Sequence, residues 1–387
     1  MDSSNFAPRV DDIRPFQVME LLRRAREMEA AGRDIIHMEV GEPDFPTPAP
    51  IVEAATRFIS KGHVHYTPAL GLTSLREAIA RYYSDRYHID VNPNRIVITA
   101  GASGALLLAT AATVRPSGEW LVPDPGYPSN RHLIRAFEGI PIGLPVNAET
   151  DFQPTPELIE ASWHGQTQGL IVASPSNPTG TVLEPENLKA IHEFTTRKGG
   201  NLIVDEIYQG LTYGSRDFTA LSCCSHAIIV NSFSKYFGMT GWRLGWLVVP
   251  EGTTNAFEKL AQHFFIAPST VAQYAALAAF TPATQAILEE RKQIFSQRRS
   301  TLLNGLTSLG IDVPCTPIGA FYAYADVRPL GLDSRAMANH LLEDAGVATT
   351  PGLDFGNQDP GRYLRLAYTT DEGRIAEAIE RIRGRLF

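Results

Sequence analysis

The stretch NSFSKYFGMTGWRLGW, from Asn231 to Trp246, decides how the rest of the chain is interpreted. It follows a short apolar run, Ala227 to Val230, that is typical of a buried strand. Lys235 comes just beyond that strand, in an aromatic setting, where its pKa could fall and its amine become nucleophilic. Ser232 and Arg243 flank it with donors that suit a phosphate. A lysine amine beside a phosphate site suggests an enzyme with a Schiff-base cofactor.

Length and charge narrow the classes of protein to which this chain can belong. Its 387 residues exceed the size at which one core usually stops growing, so we expect two subdomains. Hydrophobic residues make up 44% and charged residues 20%, as in an ordinary soluble globular protein. The 34 basic and 42 acidic residues give a formal charge of −8, without a basic tail or stripe. This balance argues against nucleic acid or an anionic membrane as the main partner.

The cysteines and the N-terminus indicate a cytoplasmic protein. Cys223, Cys224 and Cys315 are too few for a disulfide framework, and none has the spacing of a metal ligand. The first residues, MDSSNFAPRVDD, lack the basic region and apolar core of a signal peptide. No apolar run approaches the roughly 18 residues that a membrane span needs. We therefore expect a soluble protein in the cytoplasm.

Short apolar runs in the middle of the chain predict an α/β fold. Segments long enough for a helical crossover separate most of them, which favours a mostly parallel sheet buried on both faces. The runs are Ile96–Ile98, Trp120–Val122, Leu170–Ala173, Leu202–Val204, Ala227–Val230 and Leu244–Val249. Helices are expected before them at Pro15–Ala31, 50–60 and 72–87, and the loop between the last two carries Tyr66.

The two ends of the chain predict a second, smaller α+β domain. A long charged helix is expected at 285–309, extended pieces at Ala320–Tyr324 and Tyr363–Tyr368, and helices at 333–345 and 371–385. The turn-rich stretch GEPDFPTP, Gly41–Pro48, separates the N-terminal segment from the middle of the chain. We expect a first segment of the small domain at 1–47, a large domain at 48–284, and the rest of the small domain at 285–387.

Polar residues follow several of the predicted strands, and the carboxyl edge of a parallel sheet is where ligands bind. TAGASGALLLA, Thr99–Ala109, could hold a phosphate at its helix start, although small residues there are more often packing. DPGY at Asp124–Tyr127 and SPSNPTG at Ser174–Gly180 could equally be plain turns. In DEIY, Asp205–Tyr208, a carboxylate directly after a buried run needs a cation or a donor, or else caps a helix.

Two further patterns admit more than one interpretation. Ser232-x-x-Lys235 also occurs in penicillin-binding and β-lactamase hydrolases, but their Ser-Asp-Asn and Lys-Thr-Gly tripeptides are missing here. In RYLRLAY, Arg365 shares a strand face with Tyr363 and Ala367. Such an arginine is either part of a solvated or structural ion pair or a clamp for a carboxylate.

The ordered set of motifs resembles the class I/II aminotransferases, the fold-type I pyridoxal-phosphate enzymes. It extends over nearly the whole chain, as GEPDFPTP, YTPALGLTSLREAIA, SPSNPTG, VDEIY, SFSKYFGMTGWRLG, GAFY and YLRLAY. The resemblance implies a large cofactor-binding α/β domain, a smaller α+β domain built from both termini, and pyridoxal 5'-phosphate as the cofactor.

The resemblance also implies roles for individual residues. Lys235 matches the lysine that bonds to the cofactor aldehyde and later moves the substrate proton. Asp205 matches the aspartate that pairs with the pyridinium nitrogen and keeps the ring an electron sink. Tyr208 and Asn177 match the donors to the phenolic oxygen of the cofactor, and Tyr127 matches the aromatic residue that stacks on its ring.

Further matches concern the phosphate, the substrate and a second subunit. The positions that match phosphate contacts are Ala102, Ser103, Ser232 and Arg243. Gly41 and Arg365, with Asn177 beside them, match the substrate-binding positions, and the arginine would grip the α-carboxylate. Tyr66 matches a tyrosine that reaches the phosphate of the neighbouring subunit, which implies a homodimer with shared sites.

The departures from the family pattern concern the substrate. Members specific for dicarboxylates carry an extra basic residue for the distal carboxylate, and we find no clear equivalent. The phosphate loop has Ser103 and Gly104 where the subgroup often has lysine or glutamine. Aromatic residues at Phe16, Tyr127 and Tyr236 and in GAFY either line a pocket for an apolar or aromatic amino acid or belong to the core.

These observations favour an aminotransferase that works by ping-pong half-reactions. It would pass the amino group of an L-amino acid to a 2-oxo acid such as 2-oxoglutarate or pyruvate. A carbon–sulfur β-lyase on the same fold is the main alternative, but those relatives tend to have Asp-Glu-Ile-His where this chain has Asp205–Tyr208. A transcription regulator that fuses this fold to a winged helix is disfavoured, because only about forty residues precede Gly41.

Overall fold

The computed structural model describes residues 6–214 and 217–386. The α-helices of these residues, α1 to α13 in chain order, are Arg9–Asp12, Gln17–Ala30, Ala49–Ile59, Thr73–Tyr87, Gly101–Thr113, Pro128–Ala136, Pro156–Ser162, Pro185–Arg197, Thr254–Phe264, Thr270–Ala276, Pro282–Ser308, Ser334–His340 and Glu372–Leu386. The strands, β1 to β12, are Ile36–His37, Ile96–Thr99, Glu119–Asp124, Ile140–Pro145, Thr167–Ala173, Asn201–Asp205, Ile228–Ser232, Gly245–Val248, Tyr322–Asp326, Val347–Ala348, Thr350–Pro351 and Tyr363–Ala367. A single π-helical turn, Leu341–Ala345, continues α12.

A seven-stranded sheet forms the centre of the fold, in the order β2-β8-β7-β6-β5-β3-β4. All neighbours in it are parallel except that β8 runs antiparallel to both β2 and β7. Its inner strands are almost entirely buried, since helices cover both faces. The predicted α/β fold with a mostly parallel sheet is confirmed.

The edge strand β4 was not expected from the sequence. Its residues, IPIGLP, include two prolines and a glycine, and most of them are exposed or half-buried. Proline cannot donate to a strand ladder, so it is tolerated mainly at a sheet edge such as this one. Because β4 is not a continuous apolar run, the pattern that predicts the buried inner strands does not predict it.

The register of the inner strands brings the polar motifs together. Ala173, the last residue of β5, lies opposite Asp205, the last residue of β6, and Asp205 lies opposite Val230 of β7. The loops that follow these three parallel strands consequently leave the sheet at one edge. This edge is where ligands bind in open α/β sheets.

Two small sheets lie outside the central one. Strands β11, β12 and β9 form an antiparallel sheet, and β1 pairs in parallel with β10 through Ile36 and Val347. The N-terminal segment thus lies against the C-terminal part of the chain. This arrangement supports the boundaries 1–47, 48–284 and 285–387, which stay a prediction.

Helix α2 begins where a distant carboxylate caps it. The backbone N–H groups of Gln17 and Val18 donate to the two carboxylate oxygens of Asp354, at 3.0 and 3.3 Å. The helix therefore starts two residues after Pro15, and it ends before Gly32, which has a φ of +89°. This cap holds the start of α2, and Phe16 just before it, beside the loop that follows β11.

The loop after β1 is tied to the long helix α11. Arg298 on α11 donates two hydrogen bonds to the carboxylate of Asp44, at 2.7 and 2.9 Å, and a third to the Thr369 carbonyl. The GEPDF segment is thus fixed between the two parts of the chain.

None of the helices in the described residues is both long and apolar enough to cross a membrane.

Candidate active site

A cavity of about 220 Å³ lies at the carboxyl edge of the central sheet. Ten of the twelve predicted site residues line it: Gly41, Ala102, Ser103, Tyr127, Asn177, Asp205, Tyr208, Lys235, Arg243 and Arg365. Ser232 and Tyr66 do not. Phe16 and Tyr322, for which the sequence left a pocket role and a core role open, also line the cavity. The other lining residues had no role assigned from the sequence: Val18, Met19, Val40, Leu106, Ala173, Ile207, Ser234 and Thr240.

Lys235 lies in the loop after β7 and lines this cavity. Its Nζ donates to the Gly41 carbonyl at 2.6 Å and lies 5.8 Å from the centre of the Phe321 ring. Burial lowers the pKa of Lys235 to about 8, although the charge of Glu42 opposes this shift. A sizeable fraction of the amine is therefore neutral near physiological pH and can act as a nucleophile.

Asp205 ends β6 and lines the cavity beside the lysine. Its Oδ1 accepts a hydrogen bond from the Ile207 backbone N–H at 3.0 Å. Burial raises the pKa of Asp205 to about 7, against the effect of that hydrogen bond. The carboxylate is thus held in a site where its charge is costly until a cation or a further donor comes near.

The start of α5 and the end of the β7–β8 loop form one wall of the cavity. Arg243 has a left-handed backbone, with φ at +52°, and its Nη1 lies 3.0 Å from the Thr240 carbonyl and 3.4 Å from Ser234 Oγ. Gly101, which has a φ of +72° that favours glycine, brings Arg243 Nη2 within 2.7 Å of where a Cβ would be, so the guanidinium lies directly against the first turn of α5. A guanidinium beside the N-terminus of a helix is a strong arrangement for an anion.

Ser232 lies behind this wall. Its hydroxyl is within hydrogen-bond distance of Ser234 Oγ, at 3.0 Å, and of the Leu244 carbonyl, at 3.2 Å, and its side chain is fully buried. Ser234 is the hydroxyl that faces the cavity. A phosphate contact by Ser232 stays a prediction. The second serine of SFSK, Ser234, is a visible hydroxyl in the sequence, but no role was assigned to it.

Arg365 lies on β12 and lines the cavity. Its Nη1 donates to Asn177 Oδ1 at 2.8 Å, and its Nη2 donates to the Glu39 carbonyl. The guanidinium lies 4.4 Å from the centre of the Tyr322 ring and 4.9 Å from that of Phe355. These contacts hold it in one orientation, which favours the clamp interpretation of this arginine over a solvated ion pair.

Tyr322 is one of the GAFY aromatics for which the sequence left a pocket role and a core role open, and no task in the site was assigned to it. Its hydroxyl lies 2.8 Å from the hydroxyl of Tyr208. A Cβ added to Gly41 would come within 1.7 Å of the Tyr322 hydroxyl, so Gly41 is required for this tyrosine to fit. The tyrosine of GAFY is therefore part of the cavity wall and not only of the core.

Tyr66 lies on an exposed loop between α3 and α4 and does not line the cavity of its own chain. Its side chain is 81% exposed, and Val64 near it is also exposed. On the neighbouring helices, the rings of Phe58 and Tyr274 stack at 4.0 Å, and Ile59 is exposed. An exposed aromatic side chain among apolar neighbours is typical of a surface that another chain covers.

Comparison with known proteins identifies the family. The family model described as aminotransferase class I and II matches residues 33–382. The chain is a class I/II aminotransferase. It is 40% identical over 370 residues to a valine–pyruvate aminotransferase of Mycobacterium tuberculosis, which covers 95% of both chains.

Other aminotransferases match over a similar span. The chain is 36% identical to a (5-formylfuran-3-yl)methyl phosphate transaminase of Methanocaldococcus jannaschii, over 95% of this chain and 96% of the relative. A crystal structure of an aminotransferase from Mycobacterium tuberculosis superposes with a TM-score of 0.95 at 39% identity and covers 98% of each chain. The fold-type I architecture expected from the sequence is therefore confirmed.

The residues around the cavity fit the cofactor of this family, pyridoxal 5'-phosphate. Its phosphate needs a cluster of donors, and Arg243 with the first turn of α5 forms one. Its protonated ring nitrogen needs an acidic partner, and Asp205 is a buried carboxylate whose negative charge needs a cationic partner. Its aldehyde needs an amine, and Lys235 has a lowered pKa. When bound, the cofactor supplies the electron sink for breaking the substrate Cα–H bond.

Proposed function

We propose that this aminotransferase passes the amino group of an L-amino acid with an apolar or aromatic side chain to a 2-oxo acid such as 2-oxoglutarate or pyruvate. The two half-reactions would follow a ping-pong order. The observation that carries the proposal is the composition of the cavity: its basic residues, Lys235, Arg243 and Arg365, are held at separate places, and most of the remaining wall is apolar. Each of the three has a distinct task in such a reaction.

Lys235 and Asp205 would perform the acid–base and electronic work. Lys235 would hold the cofactor through its amine, and the same amine, when free, would accept and return the proton of the substrate α-carbon. Its pKa of about 8 suits both directions of that transfer near neutral pH. Asp205 would hold a proton on the ring nitrogen, since ion pairing with that nitrogen offsets the cost of burying the carboxylate.

The remaining cofactor contacts fix its position. Ala102, Ser103, Ser232 and Arg243 would hold the phosphate, and Tyr127 would cover one face of the ring. Asn177 and Tyr208 would donate to the phenolic oxygen. Support comes from the cavity, which brings together all of these residues except Ser232.

Arg365, Asn177 and Gly41 would bind the substrate α-carboxylate. The guanidinium is already oriented by the Asn177 side chain and the Glu39 carbonyl, so little side-chain entropy is lost when a carboxylate binds. An α-carboxylate fixed at one point and an amine at another leave the Cα–H bond in one orientation. Such alignment is a large part of catalysis in reactions of this kind.

The substrate side chain would contact Phe16, Val18, Met19 and Leu106. These residues form the apolar part of the wall, and Phe16 packs edge-on against Tyr127 at 6.1 Å between ring centres. Apolar walls favour apolar side chains by about 25 cal/mol per Å² of surface removed from water. The similarity to a valine–pyruvate aminotransferase supports the same choice of donor and makes pyruvate a candidate acceptor.

A homodimer with shared sites would complete the enzyme. Tyr66 does not line the cavity of its own chain, and the exposed apolar residues around it would form part of the interface. In a twofold dimer the same surface serves both subunits, so each Tyr66 would reach the phosphate of the other. The cytoplasmic location expected from the sequence also stays a prediction.

The experiment that tests this function is a half-reaction panel. Holoenzyme is mixed with single amino acids without an acceptor, and its visible absorption is followed while the oxo acid is assayed. Apolar and aromatic donors should convert the cofactor to its amine form with release of the matching 2-oxo acid. Faster conversion by aspartate or glutamate would contradict the donor class. Release of pyruvate and ammonia from cystathionine would instead favour the carbon–sulfur β-lyase.

A further inference from the structure

Two tyrosines from distant parts of the chain form a buried hydroxyl pair at the cavity. Tyr208 follows β6 and Tyr322 begins β9, and their hydroxyl oxygens are 2.8 Å apart. The side chains of both are at least 95% buried, and the rings pack edge to face at 5.6 Å. A hydrogen bond between two buried phenols is worth more than one at the surface, since water does not compete for either partner.

The position of Tyr322 is fixed by the strand that carries it. It lies opposite Ala367 in the β9–β12 ladder, so its side chain points to the same face as Arg365, two residues earlier on β12. Its ring lies under the Arg365 guanidinium at 4.4 Å, and its hydroxyl occupies the space left by Gly41. One side chain therefore contacts the substrate-binding arginine, the glycine loop and Tyr208.

The proton of each hydroxyl needs an acceptor. Burial raises the pKa of both Tyr208 and Tyr322, so both remain protonated at neutral pH. Among the residues that the structure describes, the one side-chain or backbone acceptor within hydrogen-bond distance of the Tyr322 hydroxyl is Tyr208. If Tyr322 donates to Tyr208, the Tyr208 proton is directed elsewhere, and the cavity is the space that both hydroxyls line.

We propose that Tyr322 is a positioning residue that orients the Tyr208 hydroxyl as a donor into the cavity. Its own hydrogen bond to Tyr208 makes that hydroxyl a stronger donor to the phenolic oxygen of the cofactor. The inference rests on the proposed function, in which Tyr208 touches that oxygen. A donor that itself accepts a hydrogen bond becomes a better donor, by about a tenth to a third in strength. The charged side chains that line the cavity with this pair are Asp205, Lys235, Arg243 and Arg365. Each is unchanged when only the Tyr322 hydroxyl is removed.

The consequence is a change in the pH response of the holoenzyme. The visible absorption of the bound cofactor changes when its bond to Lys235 loses a proton. A donor to the phenolic oxygen stabilises the deprotonated form, in which the negative oxygen no longer has that proton beside it. Tyr322 should therefore lower the midpoint of this titration, and its loss should raise it.

The test compares Tyr322→Phe with Tyr324→Phe. Both changes remove one buried hydroxyl from the same face of β9, but no hydrogen-bond partner of the Tyr324 hydroxyl is found among the described residues. In spectrophotometric pH titrations of the holoenzymes, Tyr322→Phe should raise the midpoint by about 0.5 to 1 pH unit, as expected for one net hydrogen bond. Tyr324→Phe should leave the midpoint within about 0.2 units of wild type.

A double-mutant cycle with Tyr208→Phe separates the inference from the function on which it rests. Tyr208→Phe alone should raise the midpoint by more than Tyr322→Phe, and adding Tyr322→Phe to it should cause no further shift, because the effect passes through Tyr208. If Tyr208→Phe shifts the midpoint and Tyr322→Phe does not, the inference is wrong and the proposed role of Tyr208 stands. If Tyr208→Phe causes no shift, that role itself fails. Additive shifts would show that Tyr322 acts on the cofactor by another route, which also overturns the inference.

Discussion

Replacing Asp205 by asparagine should stabilise the apoprotein while it removes transaminase activity. Burial raises the pKa of Asp205 from 3.8 to about 7, a shift of about three pH units. At 1.36 kcal/mol per unit, the ionised carboxylate costs the folded apoprotein roughly 4 kcal/mol above pH 7. Asparagine keeps the acceptor for the Ile207 N–H but carries no charge. Because the NH2 group that asparagine adds needs a hydrogen-bond acceptor of its own, we expect a net gain of about 1 to 3 kcal/mol.

The pH dependence gives the sharper readout. The folded-state pKa of Asp205 lies above the unfolded one, so the stability it contributes is present below pH 4 and is lost as pH rises through about 7. In chemical denaturation of apoprotein at several pH values, the free energy of unfolding of the Asp205→Asn variant should therefore increase relative to that of wild type between pH 4 and 8. Glu206, whose pKa burial raises to about 8, contributes with the same sign in both proteins. The charge of Asp205 also raises the pKa of Glu206, so the Glu206 contribution is smaller in the variant and changes the difference in the same direction.

Asp326 offers a control of opposite sign. Although burial opposes it, hydrogen bonds from Arg328 and Arg362 hold the pKa of Asp326 below its usual range. Asp326→Asn should therefore destabilise the protein above pH 4. If Asp205→Asn apoprotein is no more stable than wild type at pH 8, or if the difference between them does not change with pH, the interpretation of Asp205 as a buried carboxylate that lacks its cationic partner is refuted.

Two further predictions concern Arg365 and His37. In Arg365→Lys, the single ammonium group cannot keep both the Asn177 contact and a bidentate contact with a carboxylate. KM for the amino donor should therefore rise on the order of 10- to 100-fold while the cofactor spectrum is unchanged. An unchanged KM in half-reaction titrations would contradict this role. The hydrogen bond to the Glu39 carboxylate raises the pKa of His37 to about 9, although burial opposes this shift. Its stabilisation is complete below pH 6.5 and lost as pH rises through 9, so wild type should lose about 1 to 2 kcal/mol relative to His37→Asn over that range, discounted for partial exposure; parallel stability curves would show that the ion pair contributes nothing.

The large α/β domain was predictable because its signals are local. Apolar runs such as Leu202–Val204 mark buried strands, and a polar residue placed directly after one, as Asp205 is, must lie at the carboxyl edge of the sheet. Parallel register then brings together residues such as Asn177 and Lys235 without any further information. The candidate site was found for this reason, with the family resemblance assigning the roles.

The features that sequence reasoning missed depend on contacts between distant residues. The Tyr208–Tyr322 pair joins positions 114 apart, and the helix start at Gln17 depends on Asp354, which lies 337 residues away. Neither pattern is visible in a window of the chain. The choice between Ser232 and Ser234 as the hydroxyl that faces the cavity likewise depends on how the loop after β7 folds back on Leu244.

The central claim is that Lys235 bonds covalently to the cofactor, and borohydride reduction tests it most directly. Holoenzyme is reduced, digested and mapped by mass spectrometry, with Lys235→Ala as the control. We predict that the cofactor is found on the peptide that contains Lys235 and on none with the other five lysines of the chain, and that Lys235→Ala lacks the adduct, the visible absorption and turnover while it stays folded. Cofactor attached to any other lysine, or transamination by Lys235→Ala at a rate close to wild type, would contradict this claim.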